Sequence, residues 1–497
     1  MIRRAASLLG ACAALLATSC AVGPAYERPE APLSPEYKEI AAAAAATAGQ
    51  WKSSEPRDAA IRGKWWEIYG DAELNALEEQ VDVSNQTIAQ AEAQFRGARA
   101  AVRIARADFF PTLTTSPGVT RSQSSFSRAV GASGPVTVYS LPVDFSWELD
   151  VFGRIRRNVE ANVASAQASA ADLESVRLAM HAELAADYFE LRGLDAQKQI
   201  LDSNAAAYEK ALQLTVNRHN QGVVSGVDVA QAETQLYTTR AQSTELDVQR
   251  AQFEHAIAIL IGKPPALLTI APAAAVPVPP PIPVAIPSEL LERRPEIAAA
   301  ERRVAAANAQ IGVATAAFFP RLLLEAAGGY QGGRLADWFT LPARFWSIGP
   351  AILQTIFDGG RRRAIKAQTQ AAYDASVAVY RLNVLTAFQQ VEDNLSALRL
   401  LSIEAAQQAD AAAAADRYLE LARSRYDGGI TSYLEVTTAQ SVALVNARIA
   451  VDLLTRRMAA SVNLIKALGG GWSTADLPAG TSLVFGGGET KPSQQSK

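Results

Sequence analysis

The segment Tyr139–Val151 alternates strictly between apolar and polar residues. Tyr139, Leu141, Val143, Phe145, Trp147, Leu149 and Val151 take the odd positions; Ser140, Pro142, Asp144, Ser146, Glu148 and Asp150 take the even ones. Side chains of a strand point to alternate faces, so one face would be apolar and the other would carry three carboxylates. This fits a transmembrane β-barrel strand, with lipid outside and water inside. A half-buried strand of a soluble sandwich alternates in the same way, so this segment alone leaves both open.

The remaining pattern is helical. A helical period begins near Asp71, a capping residue, and runs to Phe109-Phe110-Pro111, where proline stops it. A Thr/Ser-rich stretch and Gly131–Pro135 lead into the alternating strand, as in a hairpin with a long loop. Beyond Gly153 apolar residues recur on an alternating three/four spacing: Val159, Val163, Ala166, Ala170, Leu173, Met180, Leu184, Leu191, Leu194, Leu201, Ala205, Tyr208 and Leu212. A sustained seven-residue repeat predicts a left-handed coiled coil, and alanines in its seam allow close approach. A helix from Gly153 to Gln221 would be on the order of 100 Å long. It should turn at 222–226 and return from Asp228 to about Ile261.

The plan then repeats. Phe318-Phe319-Pro320 matches Phe109-Phe110-Pro111 at an offset of 209, and Gly360-Arg361 matches Gly153-Arg154 at 207. Arg425–Ser432 matches Arg218–Ser225, again at 207. Near-constant offsets over such a distance indicate an internal duplication. The second long helix has its own stripe: Val384, Phe388, Val391, Leu395, Leu398, Ala405, Ala412 and Leu419. The organisation expected is a signal peptide (1–19), an extended arm (20–64) and a first repeat (65–263) with a hairpin over about 112–151 and a tip turn at 222–226. A proline-rich linker (264–287) precedes a second repeat (288–469), with a hairpin over about 321–357 and a tip turn at 428–432. A disordered tail (470–497) ends the chain.

The N-terminus reads Met-Ile-Arg-Arg and then an apolar run to about Ala17, too short to span a bilayer and typical of a signal peptide. It ends at Leu16-Ala17-Thr18-Ser19-Cys20, which resembles a lipoprotein cleavage site, and lipidation of Cys20 is expected. Cys12, the other cysteine, follows too short an apolar core. The body after Cys20 therefore has no disulfide and no cysteine–metal site. The net charge of −3 gives no electrostatic case for nucleic acid. His181, His219 and His255 lack ligand spacing, and no nucleophile or phosphate-loop motif stands out, so neither enzyme activity nor a cofactor is expected.

Two hairpins give four strands. Four cannot close a barrel, and open edges are not tolerated in lipid, so several copies must share one. Three would supply twelve strands, with the long helices forming a second barrel below.

These features resemble the TolC-like outer-membrane efflux channels, and among them the lipid-anchored NodT type. The resemblance runs from Cys20 to about Gly469. It is carried by Cys20–Tyr26, Trp65-Trp66, Trp147–Arg154, Phe357–Arg361 and Arg425–Gly429. It implies a mixed α and β membrane protein: a homotrimer with a twelve-strand transmembrane β-barrel, continuous with a twelve-helix periplasmic α-barrel. It implies a lipid-anchored location in the outer membrane of a Gram-negative bacterium, and export of small molecules. The implied partners are outer-membrane lipid, a periplasmic adaptor and an inner-membrane pump, often of the resistance-nodulation-division type. Asp228 and Glu435 match the family's periplasmic aperture acids, with Tyr426 beside them. Gly222, Val223, Ser225, Gly429, Ile430 and Ser432 match the tips that meet the adaptor. Thr431 and Thr438 stand where members carry a basic and an acidic gating residue.

For Asp228 and Glu435, first-turn acids complementing a helix dipole are the plain alternative. Arg154, Arg156, Arg157 and Arg361–Arg363 fit either lipid phosphates or a solvated helix start. Phe109, Phe110, Phe318 and Phe319 fit an aromatic girdle or a junction core. Two further readings stay open: the outer channel of a protein-secretion system, and a periplasmic coiled-coil adaptor without a pore. The second hairpin alternates less cleanly (Trp346, Ile348, Ile352, Ile356), with Pro350 and Gln354 on its apolar side.

Overall fold

The computed structural model describes residues 22–32, 34, 36–39, 63–123, 134–273, 277–282 and 290–485. A short helical turn, Trp65–Tyr69, leads into α1 (Ala72–Ser84) and α2 (Gln86–Ala107). Strands β1 (Thr112–Thr115), β2 (Gly118–Ser122) and β3 (Val136–Leu149) follow, then α3 (Arg154–Asn220) and α4 (Gly226–Leu260). The second half runs α5 (Pro295–Ala316), β4 (Arg321–Gly332), β5 (Arg344–Leu353), α6 (Arg361–Asp427) and α7 (Tyr433–Ala467). Its helices match those of the first half in length: α2 and α5 have 22 residues, α3 and α6 have 67, α4 and α7 have 35.

β1 and β2 both pair antiparallel with β3, which pairs with β4, which pairs with β5. β1 and β2 are thus one edge strand, interrupted at Ser116-Pro117, where proline has no N–H to give a ladder. The cross-strand register aligns the apolar positions. Leu113 faces Phe145, which faces Ala326, which faces Ile348; Trp147 faces Leu324 and Pro350, and Leu149 faces Leu322 and Ile352. Paired residues share a face, so Pro350 interrupts an apolar row of the sheet without breaking the apolar face. Nothing in the described chain covers that face: Leu113, Trp346, Ile348 and Ile352 are each at least two-thirds exposed.

Both long helices begin at a left-handed glycine, Gly153 (φ 79°) and Gly360 (φ 90°). An aspartate sits at each start. Asp150 accepts from the N–H groups of Ile155 and Arg156, and Asp358 from those of Gly360 and Arg362, so carboxylates satisfy the orphan donors of the first turn. The single helix expected between Asp71 and Phe109 is two. The Asn85 side chain accepts from Thr87 and Ile88 N–H to cap α2, while its amide donates to the Leu260 carbonyl at the end of α4. α4 and α2 therefore meet end to end. α7 and α5 meet likewise: Gly469 lies where a Cβ would overlap the Arg293 carbonyl.

The largest core lies at this level. Trp65, Trp66, Tyr69, Leu74, Leu77 and Val81 pack there against α3, α4 and α7. Ile270, in the first part of the proline-rich linker, is buried in the same cluster. The tail departs from expectation. Residues 470–485 are packed, with Trp472 and Leu477 against Ala171, Ala298 and Ala299, and Leu483 and Val484 between α2 and α3. Residues 486–497 lie outside the described part. Among the described residues no helix is long and apolar enough to cross a membrane.

Candidate functional site

At the end of the helices remote from the sheet, α3 and α6 reverse through tight turns. Gly222 (φ 75°) and Gly429 (φ 72°) occupy the left-handed position there, which a side chain would strain. Ser225 caps α4: its hydroxyl accepts from Val227 N–H at 3.2 Å. Asp228 returns the bond, accepting from Ser225 N–H at 2.9 Å and from its hydroxyl at 3.0 Å, a capping box. The equivalent Glu435 pairs with Arg425 at 3.1 Å and accepts from the Thr431 hydroxyl. Thr438 donates to the Leu434 carbonyl, within its own helix. The two acids are thus first-turn groups with local partners.

Tyr426 joins the two halves at this end. The Arg218 guanidinium of α3 lies 5.3 Å from its ring centroid, and the Tyr433 ring lies 5.4 Å away. Its hydroxyl is buried with no hydrogen-bond partner among the described residues. Burial first, then the Tyr426 and Tyr208 hydroxyls and the Asp228 carboxylate, push the Tyr433 hydroxyl above its ordinary range. Val223 and Ile430 project at the extreme ends, 68% and 72% exposed.

The other end holds the root of the arm. Val22 N–H donates to the Phe152 carbonyl, and Arg157 donates to the carbonyls of Val22 and Gly23. Gly23 (φ 107°) crosses α5 at Gly312, where a Cβ would come within 2.5 Å of the Gly312 Cα. Asn308 then donates to the Pro24 carbonyl, and Tyr26 donates to Glu301. Positions 312, 308 and 301 share one face of α5, so the described part of the motif, residues 22–26, is laid along that helix. Cys20 itself lies outside the described residues, two positions before Val22.

Among the described residues the chain thus joins an uncovered apolar sheet, paired helices about 100 Å long and reversing glycine tips. The family model described as outer membrane efflux protein matches residues 77–263 and again 286–470. The chain belongs to the outer membrane efflux protein family. It is 33% identical over 462 residues to the toluene efflux pump outer membrane protein TtgF of Pseudomonas putida, covering 92% of this chain and 95% of the relative. It is 32% identical to the outer membrane protein OprJ of Pseudomonas aeruginosa, covering 95% and 96%. The solved outer-membrane channel OprN superposes with a TM-score of 0.83 at 31% identity, over 91% of this chain and all of that one.

This efflux protein also carries a charged cluster that pattern reading passed over. His181 on α3 bonds Glu78 of α1 through Nδ1 at 2.6 Å, and its Nε2 lies 3.3 Å from Asp82. Trp66 stacks on the imidazole at 4.4 Å, and Arg177 pairs with Asp82, Glu92 and Glu174. Burial pushes Glu78 up to about 7, and one of its oxygens has no hydrogen-bond partner among the described residues. For His181 burial opposes the cation, but Asp82 and Glu78 outweigh it and raise the imidazole to about 9. A second buried group, Arg192 and Asp195 with Arg250 of α4, clamps the linker by bonds to Ile270, Ala271 and Ala273. The junction arginines also have protein partners: Arg154 and Arg321 pair with Glu148, Arg157 with Glu160, Arg362 with Asp358. Phe109 packs against Ala105, Ile155 and Val159, whereas Phe110 is 60% exposed and Phe319 stacks on Phe152. The first pair is thus divided between packing and exposure, while Phe318 lies under the Arg362 guanidinium.

Proposed function

We propose that three copies assemble into one outer-membrane duct, each giving four strands to a twelve-strand β-barrel and four helical columns to a periplasmic α-barrel. The observation that carries this reading is the sheet. Its apolar face is uncovered, and β1/β2 and β5 each pair on one side only. In hydrocarbon each unsatisfied backbone group costs several kcal/mol, so both edges need strands from other copies. The columns are α3, α6 and the end-to-end pairs α4/α2 and α7/α5. Leu382, Leu385, Leu400, Ile403 and Leu421 of α6 are at least half exposed or nearly so, and would pack on the next copy. Equal helix lengths and two matches to one family model support an internal duplication.

The duct does no chemistry. It passes small molecules, drugs and toxic compounds, driven by an inner-membrane pump of the resistance-nodulation-division type through a periplasmic adaptor seated on the tips. The toluene in the name of TtgF supports such cargo. A lipid on Cys20 would lie beside the sheet–helix junction, because Val22 is held against Phe152. Extraction of the outer-membrane fraction in mild detergent tests the assembly: a particle of about three 52.8 kDa chains is expected. A periplasmic monomer or dimer would overturn it.

The aperture is the inner end of this duct, where three copies would bring six carboxylates of Asp228 and Glu435 together. Asp228→Asn keeps the acceptor that closes the capping box but removes the charge. With Glu435→Gln it should lower cation selectivity several-fold in planar bilayers at unchanged thermal stability. Unaltered selectivity would leave Asp228 as a helix cap alone.

A further inference from the structure

The chain carries a local excess of positive charge just beneath its sheet. The stretches flanking the strands, residues 99–111, 148–160, 314–321 and 354–366, hold eleven Lys or Arg against five Asp or Glu, a surplus of six. The whole chain stands at −3, so everything outside these stretches sums to −9. The acids here are already engaged. Glu148, Glu160 and Asp358 hold arginines, Asp150 caps α3, and Asp108 lies close enough to act on Arg154. Arg103, Arg361, Arg363 and Lys366 meet no carboxylate among the described residues, and the three arginines are exposed.

Their placement is unfavourable without an anion. Arg361, Arg363 and Lys366 occupy the first two turns of α6, where cations oppose the helix dipole. α2 packs on α3, α3 on α5 and α5 on α6, so Arg103 and the α6 group sit at the two lateral edges of the helical layer. Immediately on the sheet side of each lie exposed apolar residues, Phe110 and the pair Ile356-Phe357. Apolar then basic is the order hydrocarbon then phosphate. The rise from Arg361 to Lys366 is about 8 Å, close to the roughly 5–8 Å depth of one headgroup layer.

We propose that Arg103, Arg361, Arg363 and Lys366 form a collar that binds the phosphates of anionic phospholipids in the periplasmic leaflet of the outer membrane. The collar rests on the reading that the sheet spans that membrane. A second copy of the chain is a poor source of the anion. Residues 361–380 carry one acid, Asp374, and α2 carries one, Glu92, which Arg177 holds.

Each basic side chain near an anionic surface contributes roughly fivefold in affinity. The full-length protein is reconstituted in nanodiscs of phosphatidylglycerol and phosphatidylcholine, and the lipids it retains on release are weighed by native mass spectrometry. The wild type should retain phosphatidylglycerol preferentially, and less so as salt rises. Replacing Arg103, Arg361, Arg363 and Lys366 by Gln should cut that preference about tenfold or more, while Arg→Lys at the three arginines preserves most of it. The milder pair Arg361→Gln with Arg363→Gln should give an intermediate loss, which guards against a folding defect in the fourfold variant. A wild type without preference, or a fourfold variant that keeps it, overturns the collar. So does a variant that loses binding to isolated peptidoglycan sacculi while its lipid retention is unchanged. Failure of the wild type to form a bilayer-inserted trimer is read separately, from the particle mass, and would sink the duct along with the collar.

Discussion

His181 and Glu78 lie 103 positions apart, yet they make one of the most buried ion pairs of the chain. Removing one partner of a buried pair strands the other charge, typically at about 3 kcal/mol or more, whereas replacing both by apolar groups costs less. His181→Leu should therefore lower the melting temperature more than His181→Leu combined with Glu78→Leu. The pH dependence has a definite sign. Both groups have folded values raised above their ordinary ones, Glu78 to about 7 and His181 to about 9. Stability from each is complete below its unfolded value and is lost as pH rises through the folded one, so the wild type should weaken from about pH 4.5 to 7 through Glu78 and from about pH 6.5 to 9 through His181. The double variant should lack that slope in thermal melts, and an identical slope in both would refute the assignment. Indole fluorescence of wild type against Trp66→Phe gives a local readout, since Trp66 stacks on the imidazole. None of this was legible in the sequence, because a lone histidine in a heptad helix carries no mark of a partner a hundred residues away. Asp228 shows the converse: its position was legible, but its capping bond became visible only once Ser225 was placed.

Elements whose neighbours are local in sequence were legible, and those held by distant contacts were not. The hairpin strands and both long helices follow from periodicity, which the chain carries within each element. The break at Asn85 was hidden because its cause is partly the Leu260 carbonyl, 175 residues on. The ordered stretch 470–485 was hidden for the same reason: Trp472 and Leu477 are ordered by alanines of α3 and α5. The arm yields a test at this scale. Gly23 combines a left-handed backbone with contact against Gly312, so Gly23→Val should cost about 1–3 kcal/mol locally and lift the arm from α5. Tyr26, which donates to Glu301 on α5, then becomes a chymotryptic site. Chymotryptic cleavage after Tyr26 at equal rates in wild type and variant would show that the glycine crossing does not hold the arm.

At the scale of the whole molecule the decisive quantity is the pairing left unmade at the two sheet edges. β1/β2 rises away from the helices and β5 returns toward them, so the edge strands of neighbouring copies would run antiparallel, as every pair within the sheet does. Closure also demands that polar faces meet polar faces, which puts Thr114 on the side of Ser347, Gly349 and Ala351. Both native cysteines precede the described residues, so introduced thiols can be read without interference. Thr114→Cys is combined in turn with Ser347→Cys, Gly349→Cys or Ala351→Cys, and each protein is oxidised in the outer membrane. At least one combination should give a covalently closed trimer on denaturing gels, since barrel shear fixes which of the three rows lies opposite. Thr114→Cys with Glu325→Cys, two strands inside the sheet, should stay monomeric. A ladder of dimers without a closed trimer would mean that the edges meet but do not close. No bond from any edge pair, beside intact insertion, would mean that the strands of separate copies never become neighbours, and the twelve-strand barrel would fall while membership of the efflux family stood.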